Sequence, residues 1–151
     1  MTLRTAASAV LAFAVLTGGQ PAATAEQNKP AAAANVTVTV KYTGKGAVDE
    51  THRLWVWLFT TAEIGPGSIP IAEQSVGKNG QSITFTSVAG SPVYVAVAYD
   101  EKGGFSGNAP PPLGSPVTLY GAKEPQDKPA PVTPAAKTAI AVTLTDAQRM
   151  Q

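Results

Sequence analysis

Short runs that alternate between apolar and polar residues follow one another from Val36 onward. The clearest is Val36–Tyr42, where three valines and a tyrosine occupy every second position. A period of two with β-branched residues on both faces is typical of a β-strand. Comparable runs, separated by Gly- and Pro-rich turns, predict further strands at 52–60, 69–76, 81–88, 93–99, 117–120 and 137–145. No window keeps a helical period, so we expect one all-β domain over residues 36–146. Its predicted fold is a single antiparallel β-sandwich of about seven strands, Ig-like or prealbumin-like.

The turn at 77–80 joins the third and fourth predicted strands. It ends in Asn79-Gly80, and both residue types tolerate the positive φ that a two-residue hairpin turn requires. The sequence therefore predicts that these two strands form a β-hairpin.

The second predicted strand is apolar on both faces. One face carries Trp55, Trp57 and Phe59, and the intervening positions from 54 to 58 are aliphatic. We expect the aromatic side chains to face the opposite sheet as core residues, with the aliphatic face covered by the long loops. The alternative is an exposed aromatic stripe, which would suit sugar rings or a Pro-rich peptide of a partner.

A long Gly- and Pro-rich loop spans Asp100–Pro116. Asp100 and Glu101, with the oxygens of Ser106 and Asn108, are of the type that calcium prefers, but Lys102 places an ammonium among them. A solvated turn is therefore the favoured interpretation. Three consecutive prolines at 110–112 predict either a docking segment or a stiff loop that shields apolar side chains.

The first 25 residues have the layout of a secretory signal peptide. Arg4 supplies a basic start, an apolar run extends over 6–16, and small residues flank Thr24 at the end. We expect cleavage after Ala25, a flexible lead-in over 26–35 and a short C-terminal tail over 147–151. The protein would be exported, either periplasmic or secreted, with no membrane anchor after cleavage because the apolar run is too short to span a bilayer.

Charge and composition exclude several classes of function. Without Arg4, ten basic residues balance ten acidic ones, and no segment concentrates lysine or arginine. Nucleic-acid binding is therefore not expected. The chain has no cysteine, so it has no disulfide, thiolate ligand or lipid-attachment site.

The candidates for catalysis are few. His52 is the only histidine, and no serine lies in a Gly-x-Ser-x-Gly turn. A lone histidine without cysteine makes a catalytic zinc site improbable as well. We therefore expect no enzymatic activity, no resident metal and no cofactor, with a hydrolase as the minority alternative.

The order of the strands is similar to that of a known family. The matching segments are Leu54–Phe59, Ile83–Val88 and Val93–Asp100, followed by Glu101-Lys-Gly-Gly104. Over roughly 36–145 the chain resembles the carboxypeptidase regulatory-like, or transthyretin-like (prealbumin-like), exported domains and related bacterial proteins of unknown function. The resemblance implies a β-sandwich with an adhesive, carbohydrate-binding or chaperone-like accessory role.

These observations predict an exported, non-enzymatic module that binds a carbohydrate or an extracytoplasmic protein. The candidate ligand-binding residues are Trp55, Trp57, Phe59, Asp100, Glu101, Phe105 and Asn108. The second hypothesis is a structural envelope or matrix component that assembles through its sandwich.

Overall fold

Seven strands form the part of the protein that the computed structural model describes, residues 34–65 and 67–151. The predicted leader and all of the lead-in before Ala34 lie outside those residues. The strands are β1 (Val36–Tyr42), β2 (Leu54–Phe59), β3 (Ala72–Val76), β4 (Ser82–Phe85), β5 (Tyr94–Tyr99), β6 (Val117–Leu119) and β7 (Thr138–Leu144). The described residues contain no helix, so none is available there to cross a membrane. The predicted all-β sandwich of about seven strands is confirmed.

The strands belong to two sheets, one with the order β4-β1-β7 and one with the order β3-β2-β5-β6. Every pair is antiparallel except β1 and β7, which run parallel from Val36 opposite Thr138 to Tyr42 opposite Leu144. The core lies between the sheets because alternate residues of each strand point inward. Its main cluster contains the inward valines of β1 and β5 and the aliphatic side chains of β2.

The predicted hairpin between the third and fourth strands is wrong. β3 pairs with β2, whereas β4 pairs with β1 in the other sheet. Asn79 does not act as a hairpin residue: its side-chain amide donates to the carbonyl of Tyr42, and its side-chain oxygen accepts from the Tyr42 N–H, both at 2.8 Å. The turn therefore crosses from one sheet to the other, which lets Val76 and Ile83 approach the core from opposite layers.

Two tyrosines join the sheets at one end of the sandwich. Tyr42 of β1 stacks on Tyr99 of β5 with ring centroids 4.3 Å apart. The Tyr42 hydroxyl donates to Oδ1 of Asp146 at 2.5 Å, and the Lys45 N–H donates to the other oxygen at 2.7 Å. Burial and the carboxylate raise the pKa of Tyr42, while the tyrosine hydroxyl and the Lys45 N–H lower the pKa of Asp146.

We expect Tyr42→Phe to lower the free energy of unfolding by about 1 kcal/mol at neutral pH, because it removes one hydrogen bond to a carboxylate. The pKa of Asp146 is lowered on folding. The stability that its carboxylate contributes is therefore fully present above the unfolded pKa of about 4, and it is lost as the pH falls through the folded pKa. The difference between the two proteins should therefore shrink in acid. Urea denaturation as a function of pH measures it.

Tyr99→Phe is the matched control. The Tyr99 hydroxyl donates to the carbonyl of Ala47 at 2.8 Å, and a carbonyl does not titrate. Its cost should stay constant over the same pH range, and an equal pH dependence in both variants would contradict the role given to Asp146.

Candidate functional site

The aromatic face of β2 points away from the inter-sheet core, contrary to the expectation from the sequence. The aliphatic residues of β2 fill the core between the sheets, and the aromatic ones form a second cluster on the outer face of the four-stranded sheet. Trp57 and Phe59 are nevertheless only 5 % and 6 % exposed. The aliphatic face turns inward because β-branched and leucine side chains interdigitate closely between two sheets. The larger aromatic rings on the other face are covered by loops, which explains their low exposure.

The loop after β5 provides that cover, and Asp100 holds it in place. Asp100 is 3 % exposed; its Oδ1 accepts from the Gly103 N–H at 2.9 Å and its Oδ2 from the Phe105 N–H at 2.8 Å. The Phe105 ring is set edge-on against Trp55 and Trp57, at centroid distances of 5.1 and 6.0 Å. The carboxylate thus fixes the loop, and the loop covers the aromatic rings.

Gly107 completes this contact. It has a φ of +85°, and a Cβ there would lie 2.2 Å from the Trp55 ring. Only glycine combines this backbone conformation with such an approach to an indole.

Beside the covered rings, the outer face of the sheet forms an open groove with a volume of about 790 Å³. Its floor comes from β2, β5 and β6, whose facing side chains are apolar: Trp57, Phe59, Ala96, Ala98, Val117 and Leu119. The loop before β3 forms one wall with Ile64, Ile69 and Pro70, and Pro110 and Pro111 contribute to another. The proline segment therefore borders the groove.

The rim of the groove is polar and nearly uncharged. Four side-chain amides contribute to the lining, at Asn108, Gln126, Gln148 and Gln151. Glu73 and Arg149 are the charged residues of this lining. Amides both donate and accept hydrogen bonds, so the rim suits a neutral polar partner such as a peptide main chain.

The C-terminal residues are part of the site, although their sequence predicts only a tail over 147–151. The Val117 N–H donates to the carbonyl of Gln148 at 3.0 Å, and the Met150 N–H donates to that of Ser115 at 2.9 Å. Arg149 also pairs with Glu101 through an Nη1–Oε2 distance of 2.7 Å. The C-terminal residues thereby pair with the segment that leads into β6 and with its first residue.

His52 lies apart from the groove, in a shallow depression that Tyr99 and Glu101 also line. Its Nδ1 is 3.0 Å from Oδ1 of Asp49, and the backbone N–H groups of His52 and Thr51 lower the pKa of that aspartate. Within the described residues no serine or threonine hydroxyl hydrogen-bonds to Nε2. The arrangement has a base and an orienting acid without a nucleophile.

The seven predicted ligand-binding residues thus fall into three groups. Trp57, Phe59 and Asn108 line the groove. Trp55 and the loop residue Phe105 pack together beside the groove without lining it, whereas Asp100 is a buried loop anchor and Glu101 pairs with Arg149. Across residues 34–65 and 67–151, no three acidic or histidine side chains gather in a way that could hold a metal ion.

The sequence does not predict that Ile69 forms a wall of the groove. The strand predicted over 69–76 begins later in the structure, since Ile69 precedes β3 and is 86 % exposed. Apolar residues at 69 and 71 favour a strand, whereas Pro70 between them favours a loop.

No protein-family model, curated protein or solved structure matches this chain.

We expect Gly107→Ala to lower the free energy of unfolding by about 2 kcal/mol or more, since it combines an unfavourable positive φ with overlap on the Trp55 ring. Trp55 should become more accessible, which shifts tryptophan emission to the red. Chemical denaturation and iodide quenching measure the two effects.

Gly104→Ala is the control from the same loop. Gly104 has a φ of +84° and nothing within 4 Å of an added Cβ, so only the backbone cost of about 1 kcal/mol applies. Equal destabilisation by both variants, with unchanged quenching, would show that the loop does not pack on Trp55 as described.

Proposed function

We propose that this protein is an exported, non-enzymatic binding module whose groove holds an apolar segment of an extracytoplasmic protein. The observation that carries the proposal is the open apolar groove on the outer face of the four-stranded sheet. Its volume falls within the range of about 300–1,000 Å³ that is usual for ligand sites. The resemblance to carboxypeptidase regulatory-like domains is consistent with an accessory role.

The chemistry of the groove favours a protein segment over a glycan. A sugar needs an accessible aromatic face and many hydrogen-bonding groups, but Trp57 and Phe59 expose little of their rings. An apolar side chain can be buried against the floor of valine, leucine and alanine, while the rim amides bind the peptide main chain. The scarcity of charge in the lining disfavours phosphate-bearing or strongly ionic ligands.

The exposed wall residue Ile69 also favours a protein ligand. Because this isoleucine is 86 % exposed, its burial by a partner would contribute favourably to the free energy of binding. It belongs to a wall of the groove, so a bound segment would contact it together with the floor.

The binding test compares Ile69→Asp with Leu113→Asp. Both residues are exposed large hydrophobics, but Ile69 lines the groove and Leu113, at 70 % exposure, does not. We expect peptides selected from a random library on the wild-type protein to be rich in apolar residues. They should bind Leu113→Asp unchanged and Ile69→Asp about tenfold more weakly, the equivalent of about 1.4 kcal/mol.

A glycan array probed with the same three proteins distinguishes the alternative. Binding of glycans without binding of peptides would overturn the choice of ligand. Peptide binding that Ile69→Asp leaves unchanged would place the site elsewhere.

Export is tested by the mass of the protein recovered outside the cytoplasm. We expect a mature chain that begins at Glu26, because the small residues Ala23 and Ala25 provide the cleavage site. A full-length chain that stays with the cytoplasmic fraction would contradict the proposed localisation.

A further inference from the structure

The outer edge of β7 is a long strand edge without a partner in the described part of the chain. β7 has seven residues and pairs with β1 along one side. Leu144 accepts from the Thr43 N–H at 2.9 Å, so in this parallel ladder Leu144 and every second residue before it bond to β1. The N–H and C=O groups of Ala139, Ala141 and Thr143 therefore point away from the sheet.

The other sheet edges are covered or short. β6 has only three residues, and the C-terminal residues bond to its first residue through the Val117 N–H and the Gln148 carbonyl. At β4 the side-chain amide of Gln74 donates to the carbonyl of Thr84 at 3.2 Å. β3 has five residues and carries Glu73. β7 has none of the usual protection, since it contains no charge, no proline and no bulge.

We propose that two copies of this protein pair along β7 in an antiparallel, two-fold symmetric dimer centred on Ala141. This register joins Ala141 to its own counterpart and Ala139 to Thr143, so all the free backbone groups bond across the interface. Three small, exposed side chains lie at these positions, and they leave the approach of a second strand unobstructed.

A second copy fits this edge better than an arbitrary strand because an identical β7 offers the same three outward-pointing residues at the same spacing. Lys137 precedes β7 and Asp146 follows Thr145, although Asp146 already accepts from Tyr42 and Lys45 and lies 3.7 Å from Arg149 within its own copy. Antiparallel pairing puts the Lys137 end of one copy beside the Asp146 end of the other. The result is a continuous six-stranded sheet with the order β4-β1-β7-β7-β1-β4.

The dimer has a consequence for the groove that rests on the proposed function. The two-fold axis of an antiparallel pair runs perpendicular to the sheet, so both copies turn the same face to the same side. Both grooves then open in one direction, and a partner with two apolar segments would gain from avidity.

The first test is sedimentation velocity of the purified exported protein over a range of concentrations. We expect a reversible monomer–dimer equilibrium, because a seven-residue edge with small side chains is a modest interface. A strict monomer at the highest soluble concentration, or open-ended assemblies beyond the dimer, would overturn the proposal.

Charge variants at Ala141 test the register. Ala141 is exposed, and its N–H points away from β1, so Ala141→Lys and Ala141→Glu should fold normally. Each alone should raise the dimer dissociation constant about tenfold or more, since like charges meet at the axis. An equimolar mixture of the two variants should restore the dimer. Thr86→Lys, an exposed position beyond β4, is the control for added charge and should leave dimerisation unchanged.

Hydrogen exchange identifies what covers the edge. The amides of Ala139, Ala141 and Thr143 should exchange quickly in dilute protein and slowly at concentrations where the dimer forms. Slow exchange in a monomer would mean that another part of the same chain covers β7. A dimer that both Ala141 variants leave intact would place the interface elsewhere, and either result overturns the inference. Neither result affects the peptide-binding test at Ile69.

Discussion

The structure depends on one constraint, which is that β2 is apolar on both faces and both must be kept from water. The three-stranded sheet covers the aliphatic face, and this contact forms the main core. The aromatic face cannot be covered by the same sheet, so the loop after β5 folds back across it. The groove exists because this loop covers the Trp55 end of the face and leaves the adjoining surface of β5 and β6 open. Because the loop covers this face only in part, an apolar surface remains accessible, and that surface is the candidate binding site.

The acidic residues of that loop show how position decides the role of a side chain. Asp100 and Glu101 are neighbours in the chain, yet one is buried beneath the loop and the other lies at the surface. Both oxygens of Asp100 are used by loop N–H groups, which leaves it a structural anchor rather than a ligand. Glu101 binds Arg149 and so ties the C-terminal residues to the same region. Together they connect the aromatic cover, the groove and the end of the chain.

The two faces of the sandwich suit different contacts. The outer face of the four-stranded sheet is apolar and concave, with walls of proline and isoleucine. The outer face of the three-stranded sheet carries small polar residues, such as the pairs Thr37–Thr84 and Thr39–Ser82 that hydrogen-bond across strands. The outward-pointing backbone groups lie at its β7 edge. The proposed ligand site and the proposed dimer interface therefore lie on different surfaces.

The sequence by itself determined the strands, because the alternation of apolar and polar residues can be recognised within each segment without knowing which strands pair with it. It also identified β2 as a strand buried on both sides. It could not assign partners: Asn79-Gly80 has hairpin chemistry, yet the core needed β3 and β4 in opposite layers. Nor could it choose which face of β2 turns inward, since both are apolar. Those choices were decided by packing between residues far apart in the chain, which placed Trp57 with Asn108 and turned Asp100 from a candidate ligand into an anchor.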